Sequence, residues 1–176
     1  MFLSFFFLPV QNTLYKFAAA ALISTLMACS PKFDWREVRG TDAPYTVLLP
    51  AKPASFAREM QLDGVHLKMQ MTAADADGVS FAVGVATVPD PSQIPRVLEA
   101  MQNGMIKNIR GNLAPASNPP GKDIVAYGSL QNGQPVKLVA RFVARGNRVY
   151  QVVVIGKEKS LTAEVVDTFM TSFKIN

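Results

Sequence analysis

Ala140-Arg-Phe-Val-Ala-Arg-Gly-Asn-Arg-Val-Tyr-Gln-Val-Val-Val-Ile-Gly156 is the stretch on which the fold turns. Arg145-Gly146-Asn147 reads as a turn between two apolar runs, Pro135 to Ala144 and Arg148 to Ile155, which predicts a hairpin. In the second run, Val149, Val152, Val153, Val154 and Ile155 leave little room for a wet face. A strand of that composition is central and covered on both sides. Something apolar must therefore lie on each face of the sheet that contains it.

The flanking sequence supplies partners and covers. Asp123 to Leu130 reads as a strand running into Gln131-Asn132-Gly133-Gln134, where Asn-Gly is the strongest hairpin dipeptide in the chain. Phe56 to Leu62 and Val65 to Thr72 flank Asp63-Gly64, a second hairpin signal. Leu67, Met69 and Met71 alternate with His66, Lys68 and Gln70, so one face is buried. Ala74-Asp-Ala-Asp-Gly78 is the next turn, and Val79 to Val88 the next strand. Tyr45-Thr-Val-Leu-Leu49 is a strand stopped by Pro50 and Pro53.

Two helices are expected as covers. Asp90 is the cap and Pro91 the first residue of one whose stripe is Ile94, Val97, Leu98, Met101, Met105, Ile106 and Ile109. Gly111 ends it, and residues 112–121, with three prolines, form an irregular loop. Ser160 caps the other, from Leu161 to about Thr171, with Leu161, Val165, Val166, Phe169 and Met170 inward. Phe173 and Ile175 close the chain. The expected fold class is α+β: a single twisted antiparallel sheet of about six strands covered by two main helices.

Composition narrows the class of protein. The chain has 176 residues, 49% hydrophobic and 18% charged, with a formal net charge of +5. A disordered or collagen-like chain carries far fewer apolar residues. One cysteine closes no disulfide. Lys16 is the first charge; Phe17 to Ala28 then runs twelve residues without one and meets Cys29. At about 1.5 Å per residue that core spans roughly 18 Å, short of the ~30 Å bilayer interior, so it reads as an export signal. An uncleaved anchor from Phe2 to Ala28 is the rival, broken by Pro9, Gln11, Asn12 and Lys16.

Leu26-Met27-Ala28-Cys29 resembles a bacterial lipobox. The resemblance implies cleavage before Cys29, a diacylglyceryl thioether on its sulfur, and N-acylation (palmitate-type chains). Residues 1–28 would be the signal peptide, 29–44 a lipidated tether and 45–176 one α+β domain. Stable anchoring takes more than one acyl chain, which a mature lipoprotein has. Ser30 after the cysteine implies the outer membrane, facing the periplasm. Phe33 and Trp35 in the tether are expected to dock on the domain, with Trp35 as a candidate partner contact. Beyond Cys29, 17 basic residues against 13 acidic ones leave +4, spread along the chain, which is no nucleic-acid footprint.

Tyr45-Thr-Val-Leu-Leu-Pro-Ala-Lys-Pro53 resembles the opening of PsbP-like domains. Ala140 to Tyr150, Val152 to Gly156 and Val166-Asp-Thr-Phe-Met-Thr-Ser-Phe173 resemble that family's ending. The likeness covers roughly residues 45–175 and implies the fold and a small extracytoplasmic binding or assembly module. Its motifs are structural and carry no catalytic residue across.

Chemistry-bearing residues are sparse. The only imidazole is His66, near Asp63 and Glu59; acid–base work there competes with a solvent-facing strand histidine. A zinc site needs three or four ligands that the sequence does not offer. Asp75-Ala-Asp77-Gly78 opens like a calcium loop, but Ala86 stands where a bidentate Glu is required. No metal or cofactor is expected apart from the lipid on Cys29. Arg141, Arg145 and Arg148 gather about one hairpin as a candidate anion site, against a solvated face with ion pairs. The methionines follow apolar stripes and read as core.

The expected function is a non-catalytic, membrane-anchored binding or scaffolding module of the cell envelope with a protein partner and no nucleic acid. The alternative is a small-ligand or anion carrier with a pocket between sheet and helix near residues 112–121. Residues 1–15 lack the positive charge that opens a signal, so translation is expected to start just upstream of Lys16. Mass spectrometry of the unprocessed precursor checks this; a peptide containing Phe5-Phe6-Phe7 would refute it.

Overall fold

The computed structural model describes residues 32–115 and 123–176. Strands β1 (Arg36–Arg39) and β2 (Tyr45–Leu49) open the fold. Strands β3 (Ala54–Leu62), β4 (Val65–Ala76) and β5 (Val79–Thr87) follow as a meander. Helix α1 (Ile94–Asn108) precedes β6 (Asn112–Leu113), β7 (Ile124–Ser129), β8 (Pro135–Arg145) and β9 (Arg148–Gly156). Helix α2 (Ala163–Ser172) and β10 (Lys174–Ile175) complete the order.

The α+β class holds, with antiparallel pairing throughout the described strands. The expectation of a single six-stranded sheet does not. A seven-stranded sheet runs β3-β4-β5-β9-β8-β7-β6, and a separate three-stranded sheet runs β1-β2-β10. The reason lies in β2. Its alternate residues Tyr45, Val47 and Leu49 are buried, and they pack over Phe81, Val83, Val152 and Val154 of the large sheet. Pro50 and Pro53 follow at once and part β2 from β3, so β2 serves as a second layer and takes β1 and β10 as neighbours.

The described part of the expected tether is folded onto the domain. Val38 of β1 pairs with Val47, and the Asp34 N–H donates to the Pro50 carbonyl at 2.8 Å. Phe33 and Trp35 pack on the same core as β2. Two further strands came from stretches read as loop and tail: β6 pairs with β7, and β10 pairs with β2.

Strand β9 is the middle of the seven, and Val149 to Val154 are all buried. Its Tyr150, Val152 and Val154 face the small sheet and α2. Its Val149 and Val153 face the α1 side. Both hairpins of the meander turn on a two-residue step with φ positive at each position: Asp63 +47° and Gly64 +83°, then Asp77 +49° and Gly78 +73°. Such turns match the strand twist, and glycine takes the second position without a Cβ penalty.

The helices begin later than their caps suggested. Asp90 accepts from the Ser92 N–H, but it caps a short 3₁₀ turn, Pro91–Gln93, ahead of α1. Thr162, not Ser160, caps α2, through the Val165 N–H at 3.4 Å. Ser172 Oγ then accepts from the Leu48 N–H at 2.9 Å and donates to the Phe169 carbonyl, tying α2 to β2.

Phe81 is the hub of the face under the small sheet. It meets Trp35 at 5.7 Å, Phe33 at 6.2 Å and Phe169 at 5.2 Å between ring centroids, each edge-on. Phe81→Ala is expected to cost about 3–5 kcal/mol, by lost burial plus a cavity. Phe56→Ala, at a position 52% exposed, should change stability by about 0.5 kcal/mol or less. Urea denaturation of the two variants checks the contrast.

Candidate functional site

Helix α1 lies on the opposite face of the large sheet from α2. Its Val97 and Met101 are buried against Leu67, Met69 and Val149. Arg96 donates to the Asp63 carboxylate and carbonyl, which clamps the start of α1 to the β3–β4 turn. From that clamp the helix and strand β3 enclose a cavity of about 220 Å³. Met60, Met69 and Met71 line it from the sheet, and Met101 and Met105 from the helix. Five of the eight methionines of the chain thus meet in one place. Thioether side chains are unbranched and polarizable, so such a wall adapts its shape to what it touches.

Gln151 closes the floor of this groove. Among the described residues it is the one polar side chain that is buried, 9% exposed. Its Nε2 donates to Met71 Sδ at 3.7 Å. Gly84, between them in the sheet, makes this approach possible: a Cβ there would stand 2.7 Å from Met71 Sδ and from Gln151 Cγ. Gly104 is different. It sits inside α1 and lines the groove, yet a Cβ added there would meet nothing within 4 Å. A mid-helix glycine weakens a helix, and here no packing requires it.

The three arginines of the candidate anion site are not all brought together. Arg145 and Arg148 are direct cross-strand partners at the β8–β9 turn. Arg141 lies four residues back along β8, roughly 13 Å at strand spacing. It is engaged: Nε reaches Asp123 Oδ1 at 2.6 Å, Nη2 reaches Oδ2 at 3.0 Å, and Nη1 donates to the Met170 carbonyl at 3.1 Å. That bidentate pair also places a cation at the carbonyl end of α2, which favours it. Arg148 lines a cavity of about 120 Å³ with Asp42, Lys68 and Tyr45, so mixed charges surround it.

Trp35 is held as a structural aromatic with one side open. It stacks on Phe33 at 5.7 Å with the rings 19° apart, besides its edge contact with Phe81. The same pair lines a cleft of about 520 Å³ with Lys32, Asp77, Lys159 and Glu164. His66 is exposed and faces Gln61 across the hairpin. Asp63 is bonded to Arg96, and Glu59 stands opposite Lys68. Asp75 accepts from Ser80 Oγ and Asp77 pairs with Lys32, so the two carboxylates of the calcium-like stretch have separate partners. Among the described residues no three of His, Cys, Asp and Glu gather as metal ligands. No described helix is long and apolar enough to cross a membrane. Cys29 and the lipobox lie outside the described residues, as does most of the 112–121 loop.

The methionine groove is the feature the sequence reading left in the core. Its signals were present: Met69 and Met71 two apart on a strand, Met101 and Met105 four apart on a helix. Either pair alone is a core pattern. Only their convergence beside an edge strand separates a groove from a core, and spacing does not encode that.

No protein-family model matches this chain, and no curated protein matches it.

Burial raises the pKa of both Tyr45 and Tyr150 above the usual tyrosine value of 10.0; Thr72 partly offsets this at Tyr45, and Arg148 and Arg145 partly offset it at Tyr150. A phenol that ionises later in the folded than in the unfolded chain makes the unfolded chain the poorer proton binder above pH 10. Their contribution is therefore intact below about pH 10 and declines as pH rises past it. Tyr45→Phe should flatten that decline in urea midpoints measured from pH 9 to 11.

Proposed function

We propose that this protein is a lipid-anchored, non-catalytic binding module of the bacterial cell envelope, with a PsbP-like fold. The observation that carries the reading is the methionine groove beside an exposed Phe56, a concave apolar surface held between a helix and a seven-stranded sheet. Exposed apolar patches rimmed by polar groups mark interaction sites, and methionine-rich walls suit adaptable contacts. Arg58, Asn108 and Gln151 supply the few polar side chains of its lining.

The anchor is the lipidated Cys29, and the module works at the outer membrane facing the periplasm. The lipobox-like Leu26-Met27-Ala28-Cys29 supports this. The PsbP-like reading draws support from where its motifs fall: Tyr45–Leu49 is β2, Arg148–Gly156 is β9, and Phe169 and Phe173 are core residues of the face that β2 covers. The groove holds about 220 Å³, below the ~300–1,000 Å³ of pockets that enclose a small ligand. That size suits the groove to a surface contact.

Growth with radiolabelled palmitate tests the anchor. The parent chain should take up label and migrate as the processed form; Cys29→Ser should do neither. An unlabelled parent would remove lipidation from the reading.

A further inference from the structure

Among the described residues, β3 ends the seven-stranded sheet, and one side of its nine-residue backbone has no strand partner there. No other described backbone hydrogen bond reaches residues 54–62. Ala54 to Glu59 are all exposed. An open edge of this length is a template for another strand, and proteins normally blunt it. Here the groove opens on that same edge. Phe56, Arg58, Met60 and Leu62 alternate along β3 on the groove side, and α1 stands opposite with Gly104 and Met105.

We propose that β3 and α1 together receive an extended polypeptide segment of an envelope partner, added to the sheet as an eighth strand; this rests on the binding-module reading above. An added strand lies about 4.8 Å from β3 and points every second side chain to the α1 side. There those side chains enter the methionine groove, over the open space left by Gly104. Backbone hydrogen bonds supply affinity and the alternate side chains supply selectivity.

The register on β3 specifies the partner's pattern. Residues opposite Phe56 and Met60 meet apolar surface. The residue between them on the same face meets Arg58, which makes no ion pair among the described residues. Opposite charges favour direct cross-strand pairs. The segment therefore reads apolar-x-acidic-x-apolar, a pattern that fits β3 in either strand direction.

The full chain in lipid nanodiscs is presented with a phage-displayed library of random dodecapeptides. Enriched peptides should carry the apolar-x-acidic-x-apolar pattern. A synthetic peptide of the enriched sequence should slow hydrogen exchange of the β3 amides. Gly104→Leu fills the groove and is the better helix former, so peptide affinity should fall at least ten-fold while the unfolding midpoint is kept or raised. Arg58→Glu should shift selection to a basic central residue. Four results overturn the proposal: no enrichment, peptides with helical three-and-four spacing, β3 amides that exchange as before, or binding indifferent to Gly104→Leu. So does β3 protection that grows with protein concentration alone, which marks a second copy as the occupant. If enriched peptides lose binding in Gly104→Leu but leave β3 unprotected, strand addition fails and the groove stays a binding surface. If palmitate labelling fails while the peptides bind, the anchor alone is lost.

Discussion

Strand β9 can exist only with an apolar layer on each of its faces. Val149 to Val154 are buried without a break, so side chains on both sides of the pleat are removed from water. At roughly 25 cal/mol per Å² of apolar area, leaving either face open would forfeit much of the stabilisation of the fold. The chain meets the demand with unlike covers. Helix α1 takes the face of Val149 and Val153. Helix α2 and the three-stranded sheet take the face of Tyr150, Val152 and Val154.

The second of these covers is the more elaborate because it is assembled from both ends of the described domain. Strand β2 brings Tyr45, Val47 and Leu49, while β10 and Phe173 arrive from the carboxyl end. Tyr45, Tyr150 and Phe173 meet within 5.9–6.4 Å of one another. The bidentate Arg141–Asp123 pair and the Met170 carbonyl fasten α2 to the β7–β8 side. Contacts of such sequence separation make the layer cooperative, and Phe33 and Trp35 pack against it, partly buried.

The first cover is thinner. One helix spans the α1 face of a seven-stranded sheet, and toward β3 its coverage gives way to a groove. The residues there are adaptable thioethers with a glycine facing open space. Among the described residues, the outer edge of β3 and the groove share a wall, which is why the proposed added strand would also lie against apolar side chains.

Much of the fold was legible in the residues themselves. Asp63-Gly64 and Asp77-Gly78 announce their turns because positive φ at both central positions is a local constraint. The valine-rich run of β9 announces double burial because hydrophobic period reports local exposure. The 3.6-residue stripe of α1 likewise needs no partner to be seen. Which sheet each strand joins was not legible: Tyr45–Leu49 alternates the same way whether it pairs with β3 or lies across the large sheet, and Arg36–Arg39 acquires strand character only by pairing with it. The candidate site divides along the same line. The lipobox-like residues are contiguous, so that resemblance is a purely local one. The methionine groove joins β3, β4, α1 and β9, whose juxtaposition depends on long-range burial, and the choice for Arg141 between an anion site and an ion pair is made by Asp123 and the end of α2, which meet it only after folding. Local backbone constraints and hydrophobic period are written residue by residue, whereas layer order and the sharing of polar partners follow from minimising exposed area over the whole domain, a quantity that no single segment carries.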